Sequence, residues 1–160
     1  MRRRTFCLAT LSLALTACGF HRRGVVALPF TSLFVDVDSE SAFGAKLRRM
    51  LKAASDVTLT NSPKEAQATL SLIQDKQARH VISLNTRGEA REYELTKTMV
   101  FRIVAPDGKE YLAPTVFQSS RNMTYNASDY TSRASEERRL YDEMTDDILT
   151  RLINTMGALQ

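Results

Sequence analysis

From Arg91 to Ala105 the side chains alternate between two characters. Tyr93, Leu95, Met99, Phe101 and Ile103 fall on one side, and Glu92, Glu94, Thr96, Thr98 and Arg102 on the other. A period of two is the signature of a strand with one buried face. Pro106-Asp107-Gly108 follows, where proline presets φ and glycine accepts a positive φ, so the chain turns back on itself. Tyr111 to Tyr125 is the returning partner, and its Pro114 predicts a bulge or an edge position. This long hairpin demands a cover of apolar side chains over one face and leaves the other, rich in Thr, Ser, Asn and Gln, to water or a polar partner. Lys97 is the exception, a cation on the apolar face.

The rest of the chain supplies the cover. Leu33, Phe34, Val35 and Val37 predict a first strand. Asp38 and Ser39 are suitable helix N-caps, with Glu40 in the first turn. Phe43, Leu47, Met50 and Leu51 then recur at helical spacing, with Lys46, Arg48, Arg49 and Lys52 mostly off that face. The basic group reads as a solvated face. Asp56 to Thr60 is a short β-like run closed by Asn61-Ser62-Pro63. Thr69 begins a second long strand reaching Ile82, with Asn85 and Gly88 in the connection that follows. A final helix is expected from Ser132 to Met156. Leu140, Met144, Ile148, Leu152 and Met156 form its stripe, beside Tyr141, Leu149 and Ile153. Arg138/Asp142, Arg139/Glu143 and Asp147/Arg151 are i,i+4 pairs on its wet side. The expected fold is α+β, a two-layer sandwich. Two helices pack on one face of a mainly antiparallel, mixed four-stranded sheet, in the order β-α-β-β-β-α.

Ahead of this domain stands an export signal: Met1-Arg2-Arg3-Arg4, an apolar stretch from Phe6 to Leu15, and Leu15-Thr16-Ala17-Cys18. The apolar stretch is too short to span a bilayer, which takes about 20 residues. Leucine, two small residues and cysteine resemble the lipobox of bacterial lipoproteins. That resemblance implies cleavage before Cys18, an S-diacylglycerol and an N-acyl group on Cys18, and a membrane-tethered N-terminus. We therefore divide the chain into a signal peptide at 1–17, a lipidated tether at 18–30 and a single domain at 31–160. Removing 17 of the 160 residues leaves 143, enough for one domain with one core. The whole chain has a net charge of +4, but losing the three signal arginines leaves 19 basic against 18 acidic residues. Basicity is thus no argument for nucleic acid. Cys7 leaves with the signal, so no disulfide forms within the processed chain.

The residues for catalysis are missing. No nucleophile elbow and no phosphate-cradling glycine loop is present. His21 and His80 have no acidic neighbours at ligand spacing, so neither a metal nor a cofactor is expected. Glu136/Glu137 and Asp146/Asp147 are adjacent, and so point about 100° apart on a helix rather than forming a dyad.

Cys18-Gly19-Phe20-His21-Arg22-Arg23-Gly24 resembles the Cys-Gly-aromatic-His-x-Arg opening of the LPS-assembly lipoprotein LptE (RlpB) family. Glu92-Tyr93-Glu94-Leu95, the Pro-Asp-Gly turn, Val116-Phe117 and Glu143-Met144 follow in that family's order. Gly24 stands where some members carry an acidic or polar residue, and the polar C-terminal extension of some members is absent. The resemblance implies a non-enzymatic outer-membrane lipoprotein on the periplasmic side. It implies a plug inside the LptD β-barrel that assists barrel assembly, and binding of lipopolysaccharide during its insertion into the outer leaflet. Gly19 fits outer-membrane sorting. A plug meets a mostly polar lumen wall, which suits the polar strand face. Phosphates of lipopolysaccharide call for arginine. Arg87 and Arg133 are the leading candidates, with Arg91 and Arg121 beside them, since loops at a domain tip reach a partner. The residues leave open a stand-alone envelope lipoprotein that binds a small amphiphile, for which an apolar cavity between helices and sheet is expected.

Overall fold

The computed structural model describes residues 26–124 and 130–159, with side chains from 133 in the last helix. The expected signal, Cys18 and most of the tether lie outside them. Chain order is β1 (Ser32–Asp36), α1 (Ala42–Ala54), β2 (Thr58–Thr60), a 3-10 turn at Pro63–Glu65, β3 (Ala68–Leu84), β4 (Ala90–Val104), β5 (Glu110–Thr124) and α2 (Tyr130–Gly157). The sheet therefore has five strands, in the order β2-β1-β3-β4-β5, and not four. The extra strand is the short run after α1. At three residues it is too brief to show a period, and its pairing is parallel to β1, Ser32 opposite Thr58, through the α1 crossover. β1 is also parallel to β3. β3, β4 and β5 form an antiparallel meander. Pro114 lies on the edge strand β5, beside a register shift between Phe101 and Ile103.

Local chemistry explains the ends of the elements. α1 is capped by Ser41, not by Asp38 or Ser39 as expected: the Ser41 hydroxyl accepts from the Gly44 amide at 3.0 Å. Asp38 instead closes the turn ahead, its carboxylate accepting from the Glu40 amide at 3.0 Å. The turn folds so closely over the helix that a Cβ on Gly44 would run into the Asp38 carbonyl. Gly88 and Gly108 hold φ of 78° and 89° in the two hairpin turns, a region L side chains rarely adopt. In α2 the expected stripe is buried throughout, Met144, Ile148, Leu152 and Met156 completely. Arg139–Glu143 and Asp147–Arg151 form the expected ion pairs, while Arg138 donates to the Ala134 carbonyl.

Both helices cover one face of the sheet, but not evenly. The larger core lies between α1, the C-terminal half of α2 and the sheet, with Leu33, Leu47, Leu70, Phe101 and Ile148 at its centre. A second, smaller cluster of Leu95, Met123, Leu140, Tyr141 and Met144 lies nearer the β3–β4 turn. A polar belt separates them. Lys97, the exception in the alternation, is buried there on an ion pair with Asp75, and Ser119 stands opposite it in register. Ser119 donates to Asp147 at 2.9 Å, and Thr145 to the Tyr141 carbonyl at 2.8 Å.

The N-terminal approach is ordered on the domain. Val26 makes a parallel bridge to Ser55, its amide donating to Ala54 at 2.7 Å, and Phe30 joins the core. Among the described residues no helix is long and apolar enough to cross a membrane.

Candidate functional site

β3 outruns its neighbour. β1 pairs with it only as far as Ser71, whereas β4 accompanies it to Leu84. The outer half of β3 is therefore a sheet edge. Four of the five large hydrophobic side chains exposed among the described residues, Ile73, Val81, Ile82 and Leu84, lie on it. Open sheet edges and exposed apolar side chains are features that partners commonly cover.

The same end carries a cluster of arginine and tyrosine. Tyr93 points to the helix side of β4, opposite Val81 on β3 and Met123 on β5. The Arg79 guanidinium lies 5.0 Å from its ring centroid and that of Arg133 5.4 Å, within cation–π range. Arg133 also donates to the Tyr93 hydroxyl at 3.4 Å, and Arg79 to Glu137 at 3.2 Å. One turn along α2, the Tyr141 hydroxyl donates to the Ala78 carbonyl at 2.9 Å. Burial, and then the Glu137 carboxylate, raise the Tyr141 pKa above 10.0, while Arg79 works against them. The phenol therefore stays protonated and keeps donating at physiological pH. Two guanidinium groups are thus held on one ring, that of Arg79 also paired with Glu137.

The four expected arginines separate on the structure. Arg133 is in the cluster. Arg87 sits in the β3–β4 turn, well exposed, 3.5 Å from Glu89. Arg91 is exposed at the start of β4. Arg121 runs along its own strand, donating to the Ser120 carbonyl at 2.8 Å and to Ser119 at 3.3 Å. All four belong to the same end of the molecule, yet only Arg133 shares a partner with another arginine. That other is Arg79, which the sequence reading missed. Its one signal was its place in the second long strand; the register that sets it beside Tyr93 is a long-range property.

The uncovered face of the sheet is mostly polar, with the Val100–Val116 pair as an apolar interruption. Cross-strand pairs Glu94–Asn122, Thr96–Ser120 and Thr98–Gln118 line it, opposite the buried Leu95, Lys97 and Met99. Among the described residues no group of three or more His, Cys, Asp or Glu is placed to hold a metal ion.

Residues 28–156 match the family LptE, described as Lipopolysaccharide-assembly. The chain is 25% identical over 154 residues to the LPS-assembly lipoprotein LptE of Photorhabdus laumondii, covering 95% of this chain and 84% of that one. The solution structure of the uncharacterized lipoprotein B from Nitrosomonas europaea superposes with a TM-score of 0.73 at 22% identity, covering 88% of this chain and 91% of that one. The crystal structure of the rare lipoprotein B from Shewanella oneidensis gives 0.68 at 23%, covering 79% and 94%. These two structures show a shared fold.

Proposed function

Because the chain belongs to the LptE lipopolysaccharide-assembly family, we propose that it is the lipoprotein subunit of the outer-membrane lipopolysaccharide translocon. In this reading it is anchored on the periplasmic side through lipid on Cys18, plugs the LptD β-barrel and assists its assembly, and binds lipopolysaccharide during insertion. Family members are assembly lipoproteins and not enzymes. The observation that carries the reading is the extent of the match, 28–156, which takes in both core clusters and the arginine end. The hydroxyl and amide groups of the uncovered sheet face support it, since a barrel lumen is lined by polar side chains. Arg79 and Arg133 on Tyr93, with Arg87 at the turn, supply cations for lipid A and core phosphates. Leu, Met, Phe and Ile pack between helices and sheet, and the pocket of about 250 Å³ found there is lined by Lys46, Asp75, Lys97 and Asp142 among others, which weighs against a carrier with an apolar cavity for a small amphiphile.

Purification of the native lipidated protein in mild detergent tests the main claim. A large outer-membrane barrel is expected in stoichiometric amount, and a chain that never associates with one would sink it. Mass spectrometry of the processed N-terminus is expected to show Cys18 carrying diacylglycerol and an acyl group. For the ligand, Arg133→Asp is expected to weaken lipopolysaccharide binding about tenfold, as loss of a charge-assisted contact does. Arg87→Asp is expected to weaken it less. Unchanged binding in both, with unchanged melting, removes this end as the phosphate site.

A further inference from the structure

From Leu72 onward β3 has β4 on one side and an open edge on the other. Along that edge the residues complement one another about Gln77. Going outward, base answers acid at Arg79 and Asp75, and apolar answers apolar at Val81 and Ile73 and again at Ile82 and Leu72. We propose that this edge pairs antiparallel with the same edge of a second copy of the chain, about a two-fold axis through Gln77, so that the two sheets become one.

Geometry and charge select both the occupant and the register. A two-fold axis that pairs identical strands antiparallel stands normal to the sheet, so residues facing each other across it share a face. Asp75, Gln77, Arg79 and Val81 share the helix side, opposite Met99, Lys97, Leu95 and Tyr93 of β4. The axis must therefore pass through a residue and not between two. Through Lys76 it would set two ammonium groups against each other and Asp75 against Gln77. Through Ala78 it would set Asp75 against Val81 and Lys76 against His80. Through Gln77, Asp75 of each copy meets Arg79 of the other, twice by symmetry, and Val81 comes level with the Ile73 bulge. The Asp75 side chain is 38% exposed and that of Arg79 44%, so each keeps a side open for a second partner beside Lys97 and Glu137. Exposed ion pairs choose a register more than they add affinity. The attraction comes from the backbone bonds of the edge and from covering Ile73 and Val81, both exposed in the single copy.

The helix layer leaves room for this. α2 packs on β4 and β5 and reaches β3 through the Tyr141 hydroxyl on the Ala78 carbonyl. The pairing also closes on itself. The outermost strands of the sheet are β2, three residues long, and β5, which contains Pro114. Neither is a good template for a further strand, so association stops at two. The pairing does not depend on the proposed function.

Cys7 and Cys18 are the two cysteines of the chain. With both changed to alanine, Gln77→Cys places a single thiol on the axis. Residues opposite one another in an antiparallel pair have Cα atoms about 4.5–5.5 Å apart, inside the disulfide range of about 4.4–6.8 Å. The full chain, in mild detergent with a mild oxidant, is expected to form a disulfide-linked dimer. Gln74→Cys, exposed on the same edge, faces His80 of the other copy and lies about 20 Å from its own counterpart, so it is expected not to cross-link. Sedimentation of the chain without cysteine is expected to show a concentration-dependent dimer. Gln77→Lys and Arg79→Asp, which set like charges across the axis, are each expected to weaken it about tenfold with unchanged circular dichroism. A monomer at every concentration overturns the proposal. So does equal cross-linking at positions 74 and 77, the mark of random collision, and so does a dimer that both charge variants leave intact. Barrel association is read separately by co-purification, so the failure of one reading is distinct from the failure of the other.

Discussion

Asp75→Ala is expected to lower stability by about 2–3 kcal/mol, while Lys97→Met is expected to be neutral or stabilising. Lys97 has its side chain 6% exposed, on a face whose other members are Leu95, Met99 and Phe101. Its charge survives there because Asp75 pairs with it. Removing one partner of a buried pair costs about 3–5 kcal/mol, because the other charge is left in an apolar site. Asp75 is 38% exposed, so water replaces part of what it supplied and the figure falls below that range. Replacing the ammonium with a thioether of similar length takes away the desolvation cost as well as the attraction. Thermal unfolding checks both: Asp75→Ala should shift the midpoint by about 5–10 °C downward, given 2–4 °C per kcal/mol for a domain of this size. In the double variant the Asp75 penalty should largely vanish. If Lys97→Met instead destabilises as much as Asp75→Ala, the pair contributes net stability, and the belt between the two core clusters is a strut and not a concession to some other need.

Phe101→Ala is expected to cost more, about 4 kcal/mol. The ring is fully buried and packs edge-to-face on Phe117, with centroids 5.9 Å apart. It stands opposite Leu72 on β3, just where that strand's register shifts. Truncation to alanine removes the transfer free energy of the ring and leaves a cavity that a central strand cannot collapse to fill. Val116, on the partner strand and 61% exposed on the other face, provides the control: Val116→Ala should stay within about 0.5 kcal/mol. Denaturant melts of the two variants measure the asymmetry of the sheet directly. Equal costs would mean that the open face is as well covered as the helix face, contrary to the structure.

The hairpin from Arg91 onward, the α2 stripe and the turn glycines were all legible, because each depends on local periodicity or on one backbone dihedral. The arrangement of β1 was not. It lies inside the sheet, parallel to both neighbours, and nothing in Leu33 to Val37 encodes which strands flank it. β2 escaped being counted for the same reason: its place is decided by where α1 delivers it. Lys97 was visible as an anomaly, but its partner was not, since Asp75 is brought near it by a strand pairing in which a bulge at Ile73 has changed the register. Arg133 was legible as a cation at the approach to a helix. The Tyr93 ring that holds it beside Arg79 belongs to the same long-range pairing.

At about 3.3 Å per residue, fifteen- and seventeen-residue strands give the meander a length on the order of 50 Å. The hydrocarbon layer of a bilayer is only about 30 Å thick. A sheet of that length is stiff along its strands, and its two ends carry different equipment: the chain entry at Val26 on one, the Asn85–Glu89 turn on the other. On the proposal that the domain plugs a barrel and is anchored through Cys18, such a body would work as a mast. Its foot would then stay at the periplasmic rim while its head reached toward the opposite headgroups. A domain with strands of ordinary length, five or six residues, would have to leave one of those two levels unattended.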